Sequence, residues 1–256
     1  MYNTEYILGK GVHDMAATKE TPEQQAIIDS QADYLVVNAF AGTGKTTTLV
    51  GYAKARPKKK MLYVAFNKAI QVEAKSKFPK NVECRTTHSI AYEKVGSKYK
   101  DKLGSMRVGE VAKLLNLARL EQGRAVLSAL EGFMSSASEK IEVGHIDPVF
   151  RKDGEDLNGI VYMASSLWER MINLDDKEVK LPHDGYLKLY QLSKPILKGY
   201  DIILFDEAQD ANPVTTDIVM RQDCGKVLVG DSHHPSTNFA GRWTLWTRQN
   251  RISVST

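Results

Sequence analysis

The sequence predicts an α/β fold built on a doubly wound parallel sheet, with a helical insertion in the middle of the chain. Three observations predict it. A short β-branched run, Y-L-V-V-N, leads through A-F-A-G-T-G-K-T-T-T into a helix-like stretch from Thr46 to Lys54. Later, the apolar run I-I-L-F ends directly in Asp206 and Glu207, and V-L-V-G ends in Asp231. Between them, residues 93–199 lose their strand signals and place apolar residues at helical spacing.

The chain has 256 residues, enough for one α/β domain with an inserted subdomain or for two small domains. Hydrophobic content of 42% and charged content of 26% are those of an ordinary globular protein. A net charge of +4 permits nucleic-acid binding without arguing for it, so any such site must be a local patch. Cys84 and Cys224 lack metal-ligand spacing and fit a reduced, cytoplasmic compartment. No apolar run is long enough to span a membrane, and no signal peptide opens the chain.

Taken in order, residues 1–19 are polar and weakly patterned, and are expected to form a loose N-terminal arm. In T-P-E-Q-Q, Thr21 suits an N-cap, Pro22 the first helical position, and Gln24 the reciprocal position of a capping box. The other reading of Gln24 is an adenine contact just upstream of the glycine-bearing loop.

That loop, residues 39–48, sits between strand and helix, the setting of a phosphate-binding loop. The N–H groups of Gly42, Thr43 and Gly44 can point into one concavity at a helix N-terminus. Lys45 can reach the β- and γ-phosphates of ATP, and the Thr46 hydroxyl can ligate Mg²⁺. Ala39, Phe40, Ala41 and Thr47 complete the expected nucleotide-contacting stretch; Ala39 stands where the motif has glycine, and its small side chain still allows the turn. A βα turn with no ligand is the blander alternative, disfavoured by G-x-G-K-T in this setting.

A solvated P-K-K-K loop precedes a strand at 61–66, with Asn67 and Lys68 at its C-terminal end, where doubly wound sheets bind ligands. A helix to about Phe78 and another strand over 82–89 follow, the latter placing His88 at a strand end. Within 93–199, V-G-E-V-A-K-L-L-N-L-A-R-L and A-V-L-S-A-L-E-G-F-M read as helices, a polar loop covers 151–158, and a helix covers 162–171. The Met and aromatic stripes there read as core, and H-D-G-Y-L-K-L-Y-Q-L leads back to the sheet. At 200–210 a buried strand ends in paired carboxylates, which calls for a partner because buried charge is costly alone. Asp206 is the expected metal-organising carboxylate, acting through water, and Glu207 the general base for the attacking water. Acidic residues placed at a helix N-terminus for its dipole are the alternative. With the last strand at 226–231, parallel strands and intervening helices imply a RecA-like P-loop NTPase core.

The motifs T-P-E-Q-Q, A-F-A-G-T-G-K-T-T-T-L, L-Y-V-A-F-N-K, T-T-H-S-I-A-Y, H-D-G-Y-L-K-L, D-E-A-Q-D and V-G-D, in this order over residues 20–231, resemble the ATPase portion of superfamily 1 DNA helicases of the UvrD/Rep type. Within that group the chain looks most like the F-box DNA helicases and their bacterial and phage relatives. The resemblance implies that Gln24 contacts adenine, that Phe66, Asn67 and Lys68 meet single-stranded DNA, and that Thr86 and His88 lie on the next DNA-facing motif. It implies ATP-driven translocation on single-stranded DNA in the cytoplasm of a bacterium, or in the nucleus if the source is eukaryotic.

It also sets expected boundaries: residues 20–92 and 200–234 as a RecA-like ATPase domain, residues 93–199 as an inserted helical subdomain, and residues 235–256 as an atypical tail. After V-G-D the family has a glutamine, then I-Y-x-F-R-G-A and a second motor domain; here His234 stands in place of that glutamine. The run Pro235 to Trp243 is what one suitably chosen set of synonymous codons for S-I-Y-Q-F-R-G-A-V yields when read one base out of frame, so a shifted frame is expected from about His234. Two further readings follow: a catalytically poor ATP- and DNA-binding fragment, inactive or inhibitory to a full-length helicase with only weak DNA affinity, or an unrelated P-loop enzyme such as a small-molecule kinase.

Overall fold

The computed structural model describes residues 3–8, 20–38, 44–230 and 253–255. Their elements are β1 (Asn3–Leu8), α1 (Pro22–Asp29), β2 (Tyr34–Asn38), α2 (Lys45–Lys54), β3 (Met61–Ala65), α3 (Lys68–Lys77), β4 (Val82–Thr86) and α4 (Thr87–Lys94). There follow α5 (Val108–Leu114), α6 (Leu120–Ser135), α7 (Leu157–Ile172), α8 (His183–Leu192), β5 (Ile202–Phe205), α9 (Pro213–Met220), β6 (Gly225–Gly230) and β7 (Ser253–Ser255).

The strands form one sheet in the order β4-β3-β5-β6-β2-β1-β7, and every described pair is parallel. Alternation along the strands puts Leu35, Val37, Met61, Tyr63, Ala65, Cys84, Ile202, Leu204, Val227 and Val229 on one face. There they pack with Ile27 of α1, Leu49, Tyr52 and Ala53 of α2, and Ala74 of α3. The intervening Val36, Leu62, Val64, Ile203, Phe205 and Leu228 are buried too. Burial on both faces is why these strands read as continuous apolar runs. The fold is the expected α/β doubly wound parallel sheet.

The chain divides into two compact units, one within residues 1–87, 196–211 and 219–256, the other residues 88–195 with 212–218. The first carries the sheet. The second is helical, with Phe133 of α6 edge-on to Trp168 of α7 at 5.4 Å. No helix among the described residues is long and apolar enough to cross a membrane.

Several local expectations are corrected. Asn3–Leu8 is not loose arm but a strand, paired with β2 from Thr4–Tyr34 to Leu8–Asn38; a backbone ladder defines it, which a weak side-chain pattern does not announce. The strand expected over 82–89 stops at Thr86, and His88 lies in the first turn of α4. The helical spacing over 108–120 is broken: Asn116 takes φ +50°, and the Leu117 N–H donates to the Ala112 carbonyl at 2.8 Å, closing α5 before α6 begins. Helix α7 starts at Leu157, five residues early, because Asp156 accepts from the Gly159 N–H at 2.8 Å. In the tail, Ser253–Ser255 pairs with β1; Asp231, His234 and the shifted-frame run lie outside the described residues.

Among the described residues three lysines are at most 2% exposed. Lys102 donates to the Arg170 and Asn173 carbonyls at the end of α7, at 3.1 and 2.6 Å. Lys188 donates to the Ser136 and Ser138 carbonyls just past α6, with its ammonium 4.3 Å from the centre of the Phe133 ring. Lys226 donates to the Gln222 and Cys224 carbonyls and stands over the Tyr34 ring. Carbonyls left over at chain turns and helix ends give these cations their partners, and burial still lowers the pKa of all three.

Candidate functional site

The C-terminal ends of β2, β3, β5 and β6 share one edge of the sheet, with Asn38 level with Gly230 and Phe205 level with Val64 and Leu228. The starts of two helices, α1 and α2, lie side by side here. Thr21 caps α1: its hydroxyl accepts from the Gln24 N–H at 3.3 Å, and Gln24 Oε1 accepts from the Thr21 N–H at 3.0 Å. The capping box is therefore formed. Gly44 caps α2 in the left-handed region at φ +76°, and a Cβ there would lie 3.2 Å from Gln24 Nε2. One end of the Gln24 amide closes the cap while the other faces the start of α2.

Arg56 ties the two helices together by donating to the Ile28 carbonyl at 2.7 Å and to the Ser30 carbonyl, its guanidinium 3.7 Å from the centre of the Tyr52 ring. In α2, Thr46 is half-buried, Thr47 is exposed, and buried Thr48 turns back to the Gly44 carbonyl. Ala39, Phe40, Ala41, Gly42 and Thr43 lie outside the described residues.

The carboxylates arrive from β5. Lys45 Nζ and Glu207 Oε2 form an ion pair at 2.7 Å, with the lysine side chain 10% exposed. Gln209 Nε2 donates to the same Glu207 oxygen at 2.7 Å and to Asp210 Oδ2 at 3.1 Å. Glu207 takes φ +47°, a sparsely populated conformation for a residue with a Cβ. The turn is held by the Ala208 N–H donating to Val229 of β6 at 3.0 Å. Asp206 is 4% exposed. Burial pushes its carboxyl above the ordinary range, against hydrogen bonds that act to lower it. Those come from the Tyr63 hydroxyl to Oδ2 at 2.7 Å and from the Glu207 N–H to Oδ1 at 3.0 Å. Burial, then the Asp206 charge, raises the Tyr63 phenol in turn. Among the described residues no three His, Cys, Asp or Glu side chains gather as a metal cluster.

At the end of β3, Phe66 is 55% exposed. Asn67 Oδ1 caps α3 by accepting from the Ile70 N–H at 2.9 Å, and Lys68 Nζ donates to Gln71 at 3.0 Å. Thr86 is buried at the end of β4, level with Ala65. His88 belongs to the helical unit, where its Nε2 lies 3.0 Å from Asp184 Oδ1 and its ring stands edge-on to Tyr186. The hydrogen bond from His88 holds the Asp184 carboxyl below its ordinary range.

Lys45, Asp206 and Glu207 are thus in one connected cluster, with Gln24 beside Gly44. Sequence reasoning passed over two contributors to this cluster. Tyr63 inside M-L-Y-V-A reads as an ordinary strand former, and Gln209 carried no role of its own; its place two residues after Glu207 was the available signal. In the helical unit, Asp184 as the partner of His88 was passed over as well.

A protein-family profile described as AAA domain matches residues 23–239. F-box DNA helicase 1 of Gallus gallus is 39% identical over 257 residues, covering 91% of this chain and 25% of that protein. F-box DNA helicase protein 1 of Schizosaccharomyces pombe is 33% identical over 272 residues, covering 90% of this chain and 30% of that protein. The chain spans between a quarter and a third of the length of these curated relatives.

Proposed function

Since the chain belongs to the AAA-domain family and is homologous to F-box DNA helicases, we propose that it is the ATP-hydrolysing motor portion of a DNA helicase that moves on single-stranded DNA. The observation that carries this is the 2.7 Å pairing of Lys45, at the start of α2, with Glu207, beyond β5. It supports reading Lys45 as the phosphate-binding lysine and Glu207 as the water-activating carboxylate, which ATP hydrolysis needs side by side.

On this reading Gln24 contacts the adenine, residues 39–47 cradle the phosphates, and Glu207 takes the proton of the attacking water. The donor set fits Mg²⁺. The Thr46 hydroxyl and Asp206 carboxylate are hard oxygen ligands, and each Asp206 oxygen, with one hydrogen bond described, keeps a lone pair for a metal-bound water. Bound there, the cation would neutralise developing phosphate charge. Phe66 is the stacking platform for a base, flanked by Asn67 and Lys68, with Thr86 and His88 on the next DNA-facing segment. On the same reading residues 20–92 and 200–234 are assigned to the ATPase part and residues 93–199 to the inserted subdomain, whereas the compact units part between Thr87 and His88 and give residues 212–218 to the helical unit.

The alternative is a binding fragment with little turnover. An arginine supplied from outside the nucleotide domain is worth roughly 10³–10⁵ in turnover in P-loop NTPases. The 256 residues alone should therefore bind ATP, hydrolyse it slowly and displace no strand. ATPase and strand-displacement assays on the purified chain, with and without single-stranded DNA, test this. Absence of ATP binding sinks the motor reading; ATP-driven unwinding by this chain alone sinks the fragment reading.

A further inference from the structure

We propose that Tyr63 is a positioning residue for the divalent cation: its buried hydroxyl fixes the Asp206 carboxylate in the orientation that receives the metal's water shell. This rests on the ATPase reading above.

The geometry begins with register. Tyr63 of β3 is level with Leu204 of β5. Asp206 lies two residues beyond Leu204, on the same side of the strand's alternation. A directly opposed pair is too close for a long side chain to bridge usefully, but the diagonal neighbour is within reach of an aromatic ring. Tyr63 takes that diagonal, and its hydroxyl ends 2.7 Å from Asp206 Oδ2. On the other oxygen, the backbone N–H of Glu207 donates at 3.0 Å. The carboxylate is thus held at both oxygens, and its plane is set.

Packing does not account for the hydroxyl. Tyr63 is fully buried among aliphatic strand residues, its ring 4.8 Å from that of Phe78. Phenylalanine would fill the same space without bringing a polar group into the core, which costs free energy unless it is bonded. What tyrosine adds at this position is one donor, and that donor is aimed at Asp206. Partners that hydrogen-bond a metal-ligating carboxylate from behind orient it, and their removal typically costs about 10–100-fold in metal affinity.

The test compares wild type with Tyr63→Phe by following a fluorescent, non-hydrolysable ATP analogue, first in EDTA and then through a Mg²⁺ titration. In EDTA the two proteins should bind the analogue within about twofold of each other, while the Mg²⁺ midpoint for tightening rises about tenfold or more in Tyr63→Phe. An unchanged midpoint overturns the proposal. So does a loss of affinity already present in EDTA with no further shift on adding Mg²⁺, since that is damage to the nucleotide site at large. A wild-type chain that binds no analogue under either condition removes the ATPase reading, and the proposal with it. Should Tyr63→Phe not fold, Tyr63→Met also lacks the hydroxyl and carries the same comparison and the same outcomes.

Discussion

Lys45 and Glu207, 162 residues apart in the chain, are bonded to each other at 2.7 Å. The lysine expected to grip phosphate and the carboxylate expected to activate water occupy one another. Nucleotide phosphates would compete for the lysine, while Glu207 would keep its hydrogen bond from Gln209 at 2.7 Å. Lys45→Ala should abolish ATP hydrolysis. Glu207→Gln should keep nucleotide binding and lower turnover about 10²–10⁴-fold, the usual worth of a general base. Steady-state ATPase rates beside equilibrium nucleotide binding check both; unchanged turnover in Lys45→Ala would remove the loop from the mechanism.

Gln24 gives a cleaner separation. Its Oε1 serves the cap of α1, while its Nε2 faces Gly44. Gln24→Glu keeps an acceptor for the Thr21 N–H and loses the amide donor. The melting temperature should therefore stay within about 1–2 °C, the cap being worth roughly 1 kcal/mol even when lost outright, while affinity for adenine nucleotides falls. Equal binding of ATP by the variant and wild type would leave Gln24 as a helix-start residue alone.

Phe66 and Asn67 should part in the same way. Phe66 is 55% exposed, so Phe66→Ala should leave stability unchanged and weaken single-stranded DNA binding by about 1–3 kcal/mol, the worth of one stacked base. Asn67→Ala removes the cap of α3 and should cost about 1 kcal/mol of stability. Fluorescence anisotropy with a labelled oligonucleotide, beside thermal melts, distinguishes the two.

Lys188 sets a pH dependence. Burial pushes its ammonium down to about 8 from 10.5. Between those values the unfolded chain holds more protons on this residue than the folded one. Below that window the desolvated charge costs the fold stability, and the cost is relieved as pH rises through it. Melts of wild type and Lys188→Met from about pH 7.5 to 10 should show the wild type gaining on the variant; parallel curves would mean that the ammonium is not desolvated.

The sheet was legible because both of its faces are covered: runs such as Val36–Val37 and Ile202–Phe205 are apolar throughout, and each ends in chemistry. The cluster of Lys45, Asp206 and Glu207 was legible for the same reason. What escaped depends on register or on local backbone. Tyr63 acquires its partner only through the offset of β3 against β5. The break at Asn116 rests on a left-handed residue inside an unbroken helical spacing. Strand β1 is made by its ladder with β2. The shifted frame is a matter for the gene: restoring one base near codon 234 should open a frame encoding the I-Y-x-F-R-G-A segment, and nucleotide sequence without it ends that idea.

The three enclosed lysines have a practical consequence. An amine-reactive reagent modifies lysines that meet solvent, and Lys102, Lys188 and Lys226 do not. Each becomes reactive only when the carbonyls it serves let go. Lys102 and Lys188 lie in the helical unit and Lys226 in the sheet unit. Their acylation, followed peptide by peptide over time, would clock the opening of each half of the molecule separately, using probes that the chain already carries.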